Sequence, residues 1–417
     1  MLESTGERRP SGARLKVLQI CEATSAGVGR HTIELVRGLS GAGCEVHLLY
    51  AEDRIDAPFA RGLKELSQVK SAVLPMARAP RLEDAAMTAR ARRYVYEHGP
   101  FDVIHGQSSK GGAIARLAGA TTDASVVYTP HGIYTMSPLL GRMERGIYTL
   151  AERTLGELTD RILASSQEEY RHIRELGIAE DRLRVVLNGL EAAPVVPKAV
   201  RRAELGLPAD DIVIGFVARL CPQKNPRMAL RAFAELARTR PHVRLAVVGR
   251  GELEEECVAL ARSLGVADQV SWLGYRPGAE AMQAFDLLML SSAYEGLAYV
   301  ALERLFAGLP LVMTPVGGVS SAVVDGVDGF IAPCEDAPAM ARALAKLVDD
   351  AALRESFGAA AQRRSSDFAI DKMVARVLDI YEECRRNRSG RRLTRRRARG
   401  SVGVAPHAPA RNHDAPG

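Results

Sequence analysis

Short apolar runs alternate with helix-length amphipathic stretches along this chain, and the alternation is written twice with a break between. The first series opens with Lys16-Val17-Leu18-Gln19-Ile20, a glycine-containing turn and an amphipathic run over residues 30–39, and it continues with strand-like runs at 45–50, 103–105, 125–129, 162–165 and 184–187. Neighbouring parallel strands need a crossover of helical length, so this order predicts a parallel sheet covered on both faces. Periodicity fails over 191–210, where Glu191-Ala-Ala-Pro-Val-Val-Pro-Lys carries two prolines, although a short helical turn near Ala203 fits. The pattern restarts with runs at 212–218, 244–248, 270–273, 287–290, 311–314 and 329–332, separated by helical segments such as 226–238.

The predicted architecture is α/β, two Rossmann-like domains facing each other across a cleft. Residues 14–190 form the first domain, 191–210 the linker, 211–365 the second domain and 366–386 a C-terminal helix, with disordered ends at 1–13 and 387–417. A length of 417 residues suits two cores, since domains hold roughly 100 to 200 residues each. Hydrophobic residues at 47% and charged residues at 25% can fill both.

Net charge is +6, but nine arginines fall within 385–399, leaving about −3 elsewhere (6 minus 9). The folded body is therefore expected not to bind nucleic acid, and the basic character belongs to the tail. That tail could approach an anionic membrane, each arginine near the surface contributing roughly 1 kcal/mol. No apolar run approaches the roughly 20 residues of a membrane span and the N-terminus is too polar for a secretory signal, so a cytoplasmic location, peripheral at most, is expected. The six cysteines are scattered, with no C-x-x-C pair or histidine partner in metal-ligand register.

Two segments carry chemistry. Arg219-Leu-Cys-Pro-Gln-Lys224-Asn225-Pro226 joins a strand to a helix with proline near its first position, a geometry suited to an anion: an arginine fork and a lysine charge could neutralise a departing diphosphate. Glu295-Gly-Leu-Ala-Tyr-Val-Ala-Leu-Glu303 places two carboxylates eight residues apart, a helical rise of about 12 Å, comparable to the reach from a hexose across a diphosphate to a ribose. Gly296 lets backbone approach a phosphate at the helix start.

Together with Gly215 to Arg219, Gly249-Arg-Gly-Glu252, Leu273-Gly274-Tyr275 and Gly308-x-Pro310, these segments resemble the retaining glycosyltransferases of family 4, which have the two-domain GT-B fold. The resemblance spans residues 15–381. In the first half, Ala26-Gly27-Val28-Gly29-Arg30-His31 is similar to the family's glycine-rich first turn, Thr129-Pro130-His131-Gly132 to its active-site histidine and Val186-Leu187-Asn188-Gly189 to its closing strand.

The resemblance implies a retaining transferase that takes a sugar from a nucleotide diphosphate sugar, uridine favoured over guanosine, without cofactor or metal. It implies catalytic roles for His131, Arg219, Lys224 and Glu295, and a donor site of Gly27, Gly29, Arg219, Lys224, Gly249, Leu273, Glu295, Gly296, Leu297 and Glu303. Glu295 would meet the sugar and Glu303 the ribose. The segment His105-Gly-Gln-Ser108-Ser-Lys110-Gly-Gly resembles a subgroup active in capsule and exopolysaccharide assembly. It offers Ser108 and Lys110 to a glycan or lipid-linked acceptor, in a loop facing the cleft.

Ala298 and Tyr299 depart from the family text after Glu-Gly-x, and Arg304 stands where alanine is common; pointing inward, Arg304 would alter the nucleotide pocket. A sugar-nucleotide epimerase of the same architecture is the rival reading. A nicotinamide oxidoreductase fits less well, because the first turn lacks the third glycine of G-x-G-x-x-G.

Overall fold

The computed structural model describes residues 14–77, 83–137, 140–295 and 298–400, without the side chains of 320 and 389–400. The first lobe is a parallel sheet of seven strands: β1 (Lys16–Cys21), β2 (Glu45–Tyr50), β3 (Lys70–Val73), β4 (Val103–Gln107), β5 (Ser125–Thr129), β6 (Arg161–Ala164) and β7 (Leu183–Val185), in the order β3-β2-β1-β4-β5-β6-β7. The second is a parallel sheet of six: β8 (Ile212–Val217), β9 (Val243–Val248), β10 (Val270–Gly274), β11 (Leu287–Leu290), β12 (Leu311–Met313) and β13 (Gly329–Ile331), in the order β10-β9-β8-β11-β12-β13. This is the predicted pair of Rossmann-like domains.

The central strands read as apolar runs because helices cover both faces: β1, β4 and β5 are buried throughout. The exception is β3, which the sequence pattern did not predict. It lies at the sheet edge with three of its four residues exposed, so it carries little apolar signal.

Two boundaries differ from expectation. The helix Lys198–Leu205 falls inside the predicted linker yet belongs to the second lobe. Its Arg202 is buried, donating from Nε to the Ala284 carbonyl at 2.9 Å and from Nη2 to Asp286 at 2.6 Å, and Leu207 just beyond joins that lobe's core. Only residues 191–197 are left to connect the lobes.

At the other end, the helix Ile370–Gly400 crosses back to the first lobe. Met373, Val374, Val377, Ile380 and Tyr381 pack with Val17, Leu35, Val36 and Val127 in that lobe's core. It continues past 387, where the sequence predicted disorder to begin; residues 1–13 and 401–417 of the predicted disordered ends lie outside the described residues.

Where the chain passes between lobes it does so twice, side by side: Leu190 N–H donates to the Phe368 carbonyl at 2.8 Å and Ile370 N–H to the Leu190 carbonyl at 3.1 Å. Among the described residues no helix is long and apolar enough to cross a membrane.

Candidate active site

The C-terminal edges of the two sheets carry the residues singled out in the sequence, as expected where loops after parallel strands gather. In the second lobe the segment after β8 turns through a short 3-10 helix, Pro222–Lys224, and Asn225 takes a left-handed backbone (φ 46°) from which its side chain caps the helix Pro226–Ala237. The segment after β11 is stitched to that turn. Ser291 Oγ donates to the Lys224 and Asn225 carbonyls at 3.1 and 2.8 Å, and Ala293 N–H donates to the Gln223 carbonyl at 2.8 Å. These bonds bring Lys224 onto Glu295 in a direct ion pair, and Ser292 Oγ donates to the same carboxylate oxygen at 2.7 Å.

Arg219 is exposed two residues beyond β8, within electrostatic reach of Glu252 and Tyr294; its contact with Cys221 holds the guanidinium above its ordinary range. Gly249 serves the backbone. At φ 136°, a Cβ there would stand 2.0 Å from the Ala218 carbonyl, so only glycine lets the loops after β8 and β9 touch. Leu273 lies in β10 and packs against the core on that face.

Glu295 and Glu303 do not share a helix. The helix is Tyr299–Phe306, so Glu295 stands in the preceding loop and the helical spacing of about 12 Å does not apply. Gly296 and Leu297 lie outside the described residues.

Glu303 is buried and meets the first lobe through Arg30, whose guanidinium pairs with it directly and with Glu34 at 2.8 Å. Burial pushes the Glu303 carboxyl up against the opposing pull of Arg30. Burial also works against the charge on Arg30, but Glu303 and Glu34 outweigh it and hold the guanidinium protonated. The Arg30 guanidinium carbon lies 5.6 Å from the centre of the Tyr299 ring, and a Cβ on Gly27 would stand 3.0 Å from that ring. The start of helix α1 (Ala26–Gly41) therefore abuts the helix Tyr299–Phe306 across the lobes. Gly29 is buried against the Thr24 backbone, where a Cβ would stand 2.7 Å away.

His131 follows β5 with a left-handed backbone (φ 59°), a conformation that costs a non-glycine residue about 1 kcal/mol or more. The N–H groups of Gly132 (2.7 Å) and Ile133 (2.8 Å) both donate to Oε1 of the fully buried Glu169 and hold this turn. The ring donates from Nε2 to Gln107 Oε1 at 2.8 Å and meets the edge of His31, centroids 4.4 Å apart. Burial first, then the neighbouring His31 and His105, keep the His131 imidazole well below its ordinary range and therefore neutral. Burial likewise lowers His31 to about 4.

The segment offered to the acceptor is not a loop. His105 and Gln107 lie in buried β4, and Ser108 to Gly112 form the first turn of the helix Ser108–Gly119. Ser108 is buried, and Lys110 is bound to Asp84 at 2.8 Å. Arg304 points inward and is fully buried: its guanidinium bonds to the carbonyls of Leu309 (3.2 Å), Asp328 (3.0 Å) and Ala322, and pairs with the buried Asp328 carboxylate. It braces the segment before β13.

The sequence reading missed Arg30 as the partner of Glu303, Tyr299 as the contact of Gly27, and Gln107 as the partner of His131. Arg30 stands inside the glycine-rich turn that carries the resemblance, and Tyr299 is a departure from the family text after Glu-Gly-x. Gln107 follows His105 by two positions, which places both polar side chains on one face of the strand.

Two lobes of parallel α/β layers thus meet with the ion pairs Lys224–Glu295 and Arg30–Glu303 among the loops and helices that follow their strands. Profiles of known families then fix the class. One described as Glycosyltransferase Family 4 matches residues 25–193, and one described as Glycosyl transferases group 1 matches residues 198–364.

The chain belongs to the family 4 glycosyltransferases. It is 31% identical over 405 residues to the D-inositol 3-phosphate glycosyltransferase of Acidothermus cellulolyticus, covering 89% of each chain. It is 30% identical over 389 residues to the enzyme of the same name from Thermobispora bispora, covering 86% of this chain and 90% of that one. In fold it is similar to Anabaena HepE, whose crystal structure is a complex with UDP-glucose, at a TM-score of 0.74 and 21% identity, over 89% of this chain and 100% of that one.

Proposed function

We propose that this protein transfers a hexosyl unit from a UDP-sugar to an acceptor hydroxyl with retention of configuration and without a metal ion. The observation that carries the reading is a pair of carboxylates eight residues apart, each facing a cation: Glu295 with Lys224 within the second lobe, and Glu303 with Arg30 across the lobe seam. A bound donor would exchange partners with these pairs, its diphosphate taking Lys224 and Arg219, its sugar hydroxyls Glu295 and His131, and its ribose hydroxyls Glu303. Carboxylates bind vicinal hydroxyls as pure acceptors, while an ammonium and a guanidinium stabilise the charge that grows on the leaving diphosphate.

In a front-face displacement the departing phosphate oxygen takes the acceptor's proton as the glycosidic bond forms, so the chain supplies orientation and charge rather than a nucleophile. In this reading the fixed cations take the role that a divalent ion would otherwise fill. Uridine is favoured by the UDP bound in the similar fold.

For the acceptor, the names of the curated relatives support a cyclitol phosphate. The glycan or lipid-linked acceptor of exopolysaccharide assembly has less support, because the segment that suggested it is buried or already bonded. Purified protein incubated with UDP-, GDP- and ADP-sugars, with and without inositol phosphate, with and without EDTA, tests every part. Nucleoside diphosphate release matched to an α-glycoside product and unaffected by EDTA is expected. Donor conversion without an acceptor would point to an epimerase, and dependence on added metal would remove the role given to the cations.

A further inference from the structure

His131 is held from behind by a chain of buried polar groups that ends on the helix crossing back from the second lobe. Tyr381, fully buried on that helix, accepts at its hydroxyl a bond from Gln19 Nε2 at 2.9 Å, and its single proton goes to His105 Nδ1 at 2.6 Å. His105 therefore carries its own proton on Nε2, which it donates to Thr129 Oγ1 at 2.8 Å. With its nitrogen committed to Tyr381, the Gln19 amide turns its oxygen to Gln107 Nε2 at 2.9 Å. Gln107 in turn presents its oxygen to His131 Nε2 at 2.8 Å.

An amide has one accepting oxygen and one donating nitrogen, and a phenol has one proton, so each bond fixes the direction of the next. The parallel register makes this possible: Gln19 lies beside His105 on adjacent strands, as Gln107 does beside Thr129, so all four line neighbouring positions of one sheet. Gln19, His105, Gln107 and Tyr381 have no solvent exposure, so water cannot substitute for a lost partner.

We propose that Gln107 is a positioning residue that fixes His131 as the Nε2–H tautomer, leaving its Nδ1 lone pair as the acceptor for a hydroxyl of the donor sugar, with the direction set from Tyr381. A neutral imidazole shows one donating and one accepting nitrogen, and which is which follows from the bond made by the other. Among the described residues no partner bonds Nδ1. An Nδ1–H tautomer would offer the sugar a donor instead, and would require the Gln107 and Gln19 amides and the Tyr381 proton to reverse together. This inference rests on the proposed donor chemistry for what His131 touches, but the tautomer itself is a property of the unliganded protein.

The test reads the tautomer by imidazole 15N chemical shifts in the full chain, alongside donor-sugar kinetics and UDP calorimetry. In the wild-type protein His131 should show a protonated Nε2 and an unprotonated Nδ1. Gln107→Leu should mix the two tautomers and lower kcat about tenfold, the size of one lost hydrogen bond to a reacting group, with UDP affinity unchanged. Tyr381→Phe should produce the same mixing from a distance.

Gln107→Glu keeps the shape and the accepting oxygen, so it guards against loss of folding. It should raise the His131 pKa, so that activity falls on acidification as the imidazolium replaces the Nδ1 acceptor. The titratable groups facing His131 are His31 and His105, both neutral. An Nδ1–H signature in the wild-type protein, or Gln107→Leu with unmixed tautomer and full kcat, overturns the proposal. Failure of the donor reading would appear separately, as absence of UDP binding or transfer by wild-type protein with the tautomer as stated.

Discussion

The two lobes hold their site residues in opposite ways. The second lobe presents charges already paired, Lys224 with Glu295, and accepts Arg30 from the other lobe onto Glu303. The first lobe presents a neutral ring, His131, backed by four buried polar side chains with no formal charge among them. A charge pair can change partners when a ligand arrives, because an anion can replace the carboxylate on the cation and hydroxyl donors can replace the cation on the carboxylate. A neutral chain of bonds cannot be exchanged in this way and acts by being set beforehand. On the proposed reading, the half that would meet the diphosphate and ribose is built to be displaced, and the half that presents His131 is built to stay.

Breaking the charged half should have the largest effect. Lys224→Ala is expected to lower kcat/KM by about 100-fold or more, as loss of a charge-stabilising donor does elsewhere, and steady-state kinetics near wild type would remove the lysine from the chemistry. Glu303→Ala should weaken binding of free UDP by about tenfold while changing kcat less, the loss of a charged hydrogen-bond acceptor; calorimetry showing undiminished affinity would end the ribose assignment.

Arg30→Met tests the seam. It leaves Glu303 and Glu34 buried together without their shared cation, so it should destabilise the unliganded protein by about 1–2 kcal/mol, discounted from a fully buried pair because Arg30 is partly exposed. Chemical denaturation reads that change.

The smallest effect belongs to the neutral half and comes from pH. His31 has a folded pKa of about 4 against an ordinary 6.5, so the unfolded chain binds the proton more readily. Its contribution to stability is complete above 6.5 and is lost as pH falls toward 4. A decline in Tm of a few degrees between pH 7 and 5 is expected, and His31→Gln should flatten that part of the profile; an unchanged slope would place the proton elsewhere.

Much of this was legible in the chain because burial on both faces makes strands of a parallel sheet nearly all apolar, and twelve of the thirteen strands among the described residues fall on runs picked out in the sequence. The second lobe's site was legible because its chemistry needs charge in fixed loops, and charged residues stand out between apolar strands. The seam was not, because the pairing of Arg30 with Glu303 depends on how two lobes meet across 273 positions of sequence. The crossover helix showed its periodicity but not its destination, since an amphipathic pattern says that a face is buried without saying against what. The polar relay left a trace in the alternation of His105 and Gln107 on one strand, a pattern that only the register with Gln19 and Thr129 turns into bonds.

The paired passages of chain at Leu190 and at 368–370 make the second lobe, in topology, an insertion whose two ends emerge side by side from the first. A fragment from about residue 198 to 368 should therefore be excisable as an independent folding body, its entry and exit close enough to be sealed by a short peptide. The first lobe cannot be cut out as one contiguous piece. It would have to be rebuilt by grafting the terminal helix directly after residue 190, and such a graft would keep Tyr381 behind His131 while lacking Arg219, Lys224, Glu295 and Glu303.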